Sequence, residues 1–166
     1  MAQLLARPAA RKPTFLLQCT LQGGRPAISL TIVLVDDDPE SRLIVRRLLA
    51  PASDTMTIVG EAADGEEGLE VVRRERPDIV ITDLVMPRLT GIGLTKRIRH
   101  ELPETKIILI SSYTEDAYRL MASDSGADAF VSKQVIDSSL LPAIRDVIAR
   151  RLSGGSCPLP PSAGAA

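Results

Sequence analysis

Four short stretches hold side chains that could do chemistry together: Asp36-Asp37-Asp38, the lone Asp83, the pair Ser111-Ser112, and Lys133. Carboxylates brought close together repel, and the energy falls only when a proton or a cation intervenes. A purely oxygen ligand set with room for water suits a small hard cation such as Mg²⁺. A carboxylate can also attack phosphorus and form an aspartyl-phosphate. The charge that gathers on the phosphoryl oxygens is then offset by a metal ion and a lysine. Taken singly, each residue has a plainer account. An aspartate at a strand end is often a turn residue or a helix cap, and Asp38, just before Pro39, reads as such a cap. The set Asp36, Asp37, Asp83, Ser111 and Lys133 is what points to phosphoryl chemistry.

Each of these stretches ends an apolar run. Ile28 to Val35 is a β-branched run that stops at the three aspartates, as a buried strand would. Pro39 to Ala50 spaces Leu43, Val45, Leu48 and Leu49 among Arg42, Arg46 and Arg47, the pattern of a surface helix. Met56 to Ala62 predicts a second strand, and Asp64 a cap for a helix reaching about Arg76, where Pro77 ends it. Ile79 to Thr82 predicts a third strand closed by Asp83. Thr90 caps a third helix through Leu94, Ile98 and Leu102. Lys106 to Ile110, Glu115 to Ser123, Asp128 to Ser132 and Ser139 to Leu152 complete the alternation. Five strands alternating with five helices predict an α/β fold, a doubly wound parallel sheet with helices on both faces. Alternation alone does not fix the strand order. The familiar five-stranded solution is 2-1-3-4-5, with ligands beyond the carboxyl ends of the strands at the switch point. That order brings the acids, the hydroxyl and the ammonium to one crevice.

The chain has 166 residues, enough for one globular domain, with 45% apolar and only 2% aromatic residues, so its core must be aliphatic. Residues 1–27 carry Arg7, Arg11, Lys12 and Arg25 and no acid, which leaves the remainder acidic despite the overall charge of -1. An acidic folded part argues against non-specific nucleic-acid binding. Residues 1–27 read as a basic disordered leader, 28–152 as the folded domain, and 153–166 as a disordered Gly/Pro/Ser/Ala tail. Cys19 and Cys157 form no metal-ligand spacing, so a cytoplasmic location is expected. No apolar run is long enough to cross a bilayer.

The stretch from Ile32 through Asp36-Asp37-Asp38-Pro39 resembles the first strand of two-component response-regulator receiver domains. So does Asp83-Leu-Val-Met-Pro-Arg-Leu-Thr-Gly91, an Asp-x-x-Met-Pro-x-x-x-Gly pattern, and Ala63-Asp64-Gly65 looks like the usual lead-in to the second helix. The resemblance covers about residues 29–152. It implies that Asp83 is the phosphoacceptor, and that Asp36 and Asp37 form the acidic pair for Mg²⁺, Asp37 being the direct ligand. It also implies that the backbone carbonyl of Val85 is a further ligand. Ser111 then hydrogen-bonds a phosphoryl oxygen, Lys133 forms an ion pair with it, and Phe130 is the aromatic switch residue that follows Ser111. The implied partners are a sensor histidine kinase or phosphotransfer protein, and a downstream protein target. A homodimer through the face of the fourth helix, fifth strand and fifth helix is a further implied association. Gln134 departs from the family's frequent Lys-Pro pair. Phe130-Val-Ser-Lys133 resembles the receivers of regulators with helix-turn-helix output domains.

Other signals are weaker. Gly91-Ile-Gly93 lacks the third glycine of a dinucleotide loop. Asp36-x-Asp38 lacks the Gly/Ala-Thr continuation of aspartate-nucleophile phosphatases. His100 and the run Arg73-Arg74-Glu75-Arg76 read as solvated helix ends. No output domain is legible after Leu152. The expected function is therefore a phosphoacceptor switch acting through protein contacts, not a metabolic enzyme and without direct nucleic-acid or membrane binding. Its rivals are the receiver fragment of a DNA-binding transcriptional regulator, a phosphorylation-independent interaction module, and a phosphatase.

Overall fold

Apolar β-branched runs become strands here, and the amphipathic stretches between them become helices. The computed structural model describes residues 29–113 and 116–152. The leader, residues 1–27, and the tail, residues 153–166, lie outside the described residues, as does Ile28. The elements run β1 (Leu30–Val35), α1 (Pro39–Leu49), β2 (Met56–Ala62), α2 (Gly65–Glu75), β3 (Ile79–Asp83) and α3 (Gly91–Glu101). Then follow β4 (Lys106–Ser111), α4 (Asp116–Asp124), β5 (Ala129–Ser132) and α5 (Ile136–Leu152). The five strands form one parallel sheet in the order β2-β1-β3-β4-β5. The α/β doubly wound fold expected from the sequence is the one observed.

Local chemistry fixes the helix starts. The Asp38 side chain accepts from the backbone N–H of Glu40, Asp64 from those of Glu66 and Glu67, and Thr90 from that of Gly93. Each satisfies donors that a helix N-terminus leaves open. Helix α2 ends at Arg76, whose φ of 47° is left-handed, and Pro77 cannot continue it. Helix α5 starts at Ile136, three residues before the expected Ser139. The stripe facing the sheet is Ile136, Leu140, Ile144 and Val147, all buried, so burial begins the helix at Ile136. The Ser138 hydroxyl donates to the carbonyl of Val135 instead of capping a later start. A single 3-10 turn, Lys133–Val135, joins β5 to α5. Glu115, the expected first residue of α4, lies outside the described residues.

Alternating strand residues pack on opposite faces. Ile32, Leu34, Ile79 and Ile81 meet α1 and α5 through Val45, Leu49, Leu140 and Ile144. Val33, Val35 and Val80 meet α2 and α3 through Leu69, Val72, Leu94 and Ile98. Each such side chain contributes about 1.5–3 kcal/mol when buried. A smaller cluster of Leu84, Leu109 and Ala122 supports α4. Because all five strands are parallel, their carboxyl ends share one edge of the sheet.

Candidate functional site

The acids gather at that shared edge. Asp36 follows the last residue of β1, Asp83 is the last residue of β3, Ser111 ends β4, and Lys133 follows β5. One carboxylate oxygen from each of Asp36, Asp37 and Asp83 lies within 4.8 Å of the others. The Lys133 ammonium donates to Asp36 Oδ2 at 2.8 Å and sits 2.8 Å from Asp83 Oδ1. Asp36 is wholly buried and Asp83 is 7% exposed, whereas Asp37 is open to solvent. Asp83, Val85, Ser111, Ser112, Tyr113 and Lys133 line a cleft of about 250 Å³ beside this cluster.

The backbone around Asp83 is held tightly. Its Oδ2 accepts from the backbone N–H of Val85 at 3.1 Å. A Cβ on Gly91 would come 2.0 Å from the Asp83 carbonyl oxygen, so only glycine lets α3 start this close to the strand end. Likewise a Cβ on Gly65 would strike the Leu89 carbonyl oxygen at 2.1 Å, so the loop after β3 lies directly on the start of α2. Arg88 in that loop, with a left-handed φ of 63°, forms an ion pair with the buried carboxylate of Asp64. Val85 is half exposed at the cleft mouth. Ser111 is buried, and its Oγ accepts from the backbone N–H of Tyr113 at 3.0 Å, which leaves the hydroxyl proton available to an acceptor in the cleft.

Electrostatics follow from the crowding. Burial pushes the Asp83 carboxyl above its ordinary value. The hydrogen bond and charge of Lys133 oppose this, and the Asp36 charge adds to it. For Lys133, burial works against the ammonium. Its hydrogen bonds to Asp36 and Asp83 outweigh that, and its value ends above the ordinary one. The site thus holds three carboxylates against one ammonium, and the negative charge is in excess. Oxygen donors of this kind fit a hard divalent cation, with Asp37 and Asp83 open to it.

Phe130 stands apart from the acids. It is partly buried against the Leu84–Leu109–Ala122 cluster, with the Arg119 guanidinium 5.4 Å from its ring centroid. Tyr113 and Tyr118 pack nearby with ring centroids 5.1 Å apart. The structure therefore brings Asp36, Asp37, Asp83, Ser111, Val85 and Lys133 together and puts Phe130 on the neighbouring face.

Three contributors escaped the sequence reading. The Ser41 hydroxyl donates to Asp36 Oδ2 at 2.6 Å, and Arg42 Nη1 donates to the Asp36 carbonyl at 2.5 Å. The sequence marks Asp64 as a helix cap, and the structure adds its ion pair with Arg88. A hydroxyl five residues after a strand-end acid, on the first turn of the next helix, was the available signal for Ser41.

The comparisons with known proteins agree with this geometry. The chain matches the response regulator receiver domain over residues 32–145. It is 37% identical over 118 residues to the transcriptional activator protein ExaE of Pseudomonas putida, covering 71% of this chain and 55% of that one. The signal receiver domain of the response regulator NarL from Mycobacterium tuberculosis superposes with a TM-score of 0.66 at 34% identity, covering 71% of this chain and 94% of that one. A LuxR-family two-component response regulator from Aurantimonas sp. SI85-9A1 superposes with a TM-score of 0.69 at 34% identity, covering 73% and 86%. The chain spans about half the length of the curated relatives it matches. With the sheet order, the acid cluster and these likenesses in agreement, the chain belongs to the receiver domains of two-component response regulators.

Proposed function

We propose that this receiver accepts a phosphoryl group on Asp83 from the phosphohistidine of a sensor kinase or phosphotransfer protein. The observation that carries the reading is the meeting of the Asp36, Asp37 and Asp83 oxygens within 4.8 Å, with Lys133 2.8 Å from two of those acids. A carboxylate oxygen of Asp83 attacks phosphorus in line. The P–O bond forms, the P–N bond to the imidazole breaks, and its electron pair returns to the ring nitrogen. Bound Mg²⁺, held by Asp37 and Asp83 with the Val85 carbonyl and Asp36 close by, would offset charge on the phosphoryl oxygens. Lys133 and the Ser111 hydroxyl hold the product from the other side. The chain's chemistry is then confined to its own phosphorylation and dephosphorylation, as in a switch.

Output follows from a population shift driven by contacts that only the phosphorylated state makes. Ser111 draws toward the new charge, and Phe130, on the same layer, changes its packing. Leu120, 64% exposed, and the half-exposed Met121 on α4 give that face the apolar surface a protein target or a second copy would cover. A cytoplasmic setting fits such a role, and no described helix is long and apolar enough to cross a membrane.

A second reading is favoured by one observation: the relatives are transcription regulators about twice as long as the matched segment. In that reading the receiver governs a DNA-binding region, and coding sequence for a helix-turn-helix downstream of it decides the matter. The phosphoacceptor reading itself is tested with acetyl phosphate and Mg²⁺ on the wild type and Asp83→Asn. Phosphorylation of the wild type alone is expected, and equal phosphorylation of both would overturn the assignment.

A further inference from the structure

Asp36 is the most heavily engaged acid of the cluster. Its Oδ2 accepts from Ser41 Oγ at 2.6 Å and from Lys133 Nζ at 2.8 Å, and its Oδ1 accepts from the backbone N–H of Asp38 at 3.0 Å. Arg42 also holds its carbonyl oxygen. Asp36 is wholly buried and Ser41 is buried beside it, so solvent does not reach Oδ2. Lys133 is divided between Asp36 and Asp83. When Asp83 gains a phosphoryl group, the ammonium has a stronger acceptor on that side and is drawn from Asp36. A buried carboxylate oxygen left without a donor is costly.

We propose that Ser41 is a positioning residue of the phosphoacceptor site: its hydroxyl keeps Asp36 Oδ2 satisfied, and so frees Lys133 to move onto the phosphoryl group of Asp83. This rests on the reading of Asp83 as the phosphoacceptor. Three details support it. The two donors converge on the same oxygen, so one can replace the other. The Ser41 hydroxyl is fixed on the first turn of α1, which Asp38 caps, so it stays when Lys133 leaves. The donor is neutral, so it satisfies the oxygen without cancelling the negative charge that the site offers a cation. A lysine or arginine at position 41 would have removed that charge.

The test measures Mg²⁺ affinity, and beryllofluoride affinity at saturating Mg²⁺, for the wild type, Ser41→Ala and Ser41→Thr, with thermal denaturation of each. Beryllofluoride stands in for the phosphoryl group and needs no turnover. Ser41→Ala is expected to bind it about tenfold more weakly, the loss that follows when one hydrogen bond to a buried charge disappears. Its Mg²⁺ affinity should stay within about twofold, because Asp37 and Asp83 are untouched and Asp36, before a phosphoryl group arrives, keeps its bonds from Lys133 and the Asp38 N–H. Ser41→Thr keeps the hydroxyl and should recover most of the loss. A structural role alone would lower the melting temperature and weaken both ligands by the same factor, and that result would overturn the inference. So would unchanged beryllofluoride binding by Ser41→Ala, or a loss that threonine does not repair. A wild type that binds no beryllofluoride overturns the phosphoacceptor reading itself, and this inference with it.

Discussion

At the amino ends of the strands, Asp128 accepts from Arg99 Nη2 at 2.6 Å, from Lys106 Nζ at 3.1 Å and from the backbone N–H of Ile107 at 2.9 Å. Arg99 also donates to the carbonyls of Pro103, Thr105 and Gly126. At the carboxyl ends, Asp36 and Asp83 share the ammonium of Lys133, and Asp37 brings a third carboxylate oxygen within 4.8 Å of theirs. One cluster surrounds the acid Asp128 with two cations and an amide, while the other gathers three acids near the one cation of Lys133. The first arrangement ties β4, β5 and α3 together and asks for nothing further. The second is left with excess negative charge, and that excess is what a divalent cation would offset. A cluster of acids short of cations is thus a mark of function, and an acid matched by two cations, as Asp128 is, is a mark of architecture.

The sharpest way to separate the two edges is to remove the cation that Asp36 and Asp83 share. Lys133→Met leaves Asp36 and Asp83 facing each other without it. Stability at pH 7 should fall by about 2–3 kcal/mol, short of the 3–5 kcal/mol of a fully buried pair because the lysine side chain is 21% exposed. Without the ammonium the Asp83 carboxyl, already raised by burial, loses the groups that oppose that rise, so its ionisation opposes folding. The deficit should therefore be largest at neutral pH and shrink as pH falls below about 5. Urea unfolding at both pH values measures this, and an equal deficit at each would break the comparison.

At the other edge, Asp128→Ala strips Arg99 and Lys106 of their shared acid and should cost about 2 kcal/mol. Its beryllofluoride binding should match the wild type, because the damage lies at the far end of the strands. Weakened ligand binding in Asp128→Ala would show that the two edges are not independent.

A smaller effect of opposite sign is expected at Asp83, the proposed phosphoacceptor. Burial holds the Asp83 carboxyl above its ordinary value. Its ionisation therefore works against the fold once pH passes the unfolded value of about 4, and folding is favoured below that. Asp83→Asn removes that charge and should raise the melting temperature at pH 7 by a few degrees, at roughly 4 °C per kcal/mol. The gain should vanish in acid. A variant that gains stability as it loses phosphorylation is what a site built against stability predicts.

Much of this was legible in the sequence, for identifiable reasons. The strands are aliphatic runs bounded by acids, glycine or proline, and Asp38, Asp64 and Thr90 mark helix starts by chemistry that acts over three residues. Asp36, Asp37, Asp83, Ser111 and Lys133 could be placed at one edge because strand ends are local features and a parallel sheet aligns them. Strand order is not local, and it came from the familiar arrangement of such folds. Helix α5 begins three residues before the expected Ser139 because the packing of Ile136 against the sheet decides its start, and packing is not a local feature. The spacing of Ser41 five residues after Asp36 gains its meaning only once the fold supplies a buried acid beside it. Arg88 and Asp64 meet only because the loop after β3 folds back onto α2, a contact between residues 24 positions apart.

The central claim is that Asp37 and Asp83 close around a divalent cation. Thermal denaturation across a Mg²⁺ titration tests it most directly. The account predicts stabilisation that grows with concentration, by about 1.4 kcal/mol at ten times the dissociation constant, and its loss in Asp37→Asn. A wild-type melting temperature indifferent to Mg²⁺, or an equal rise in Asp37→Asn, would contradict it.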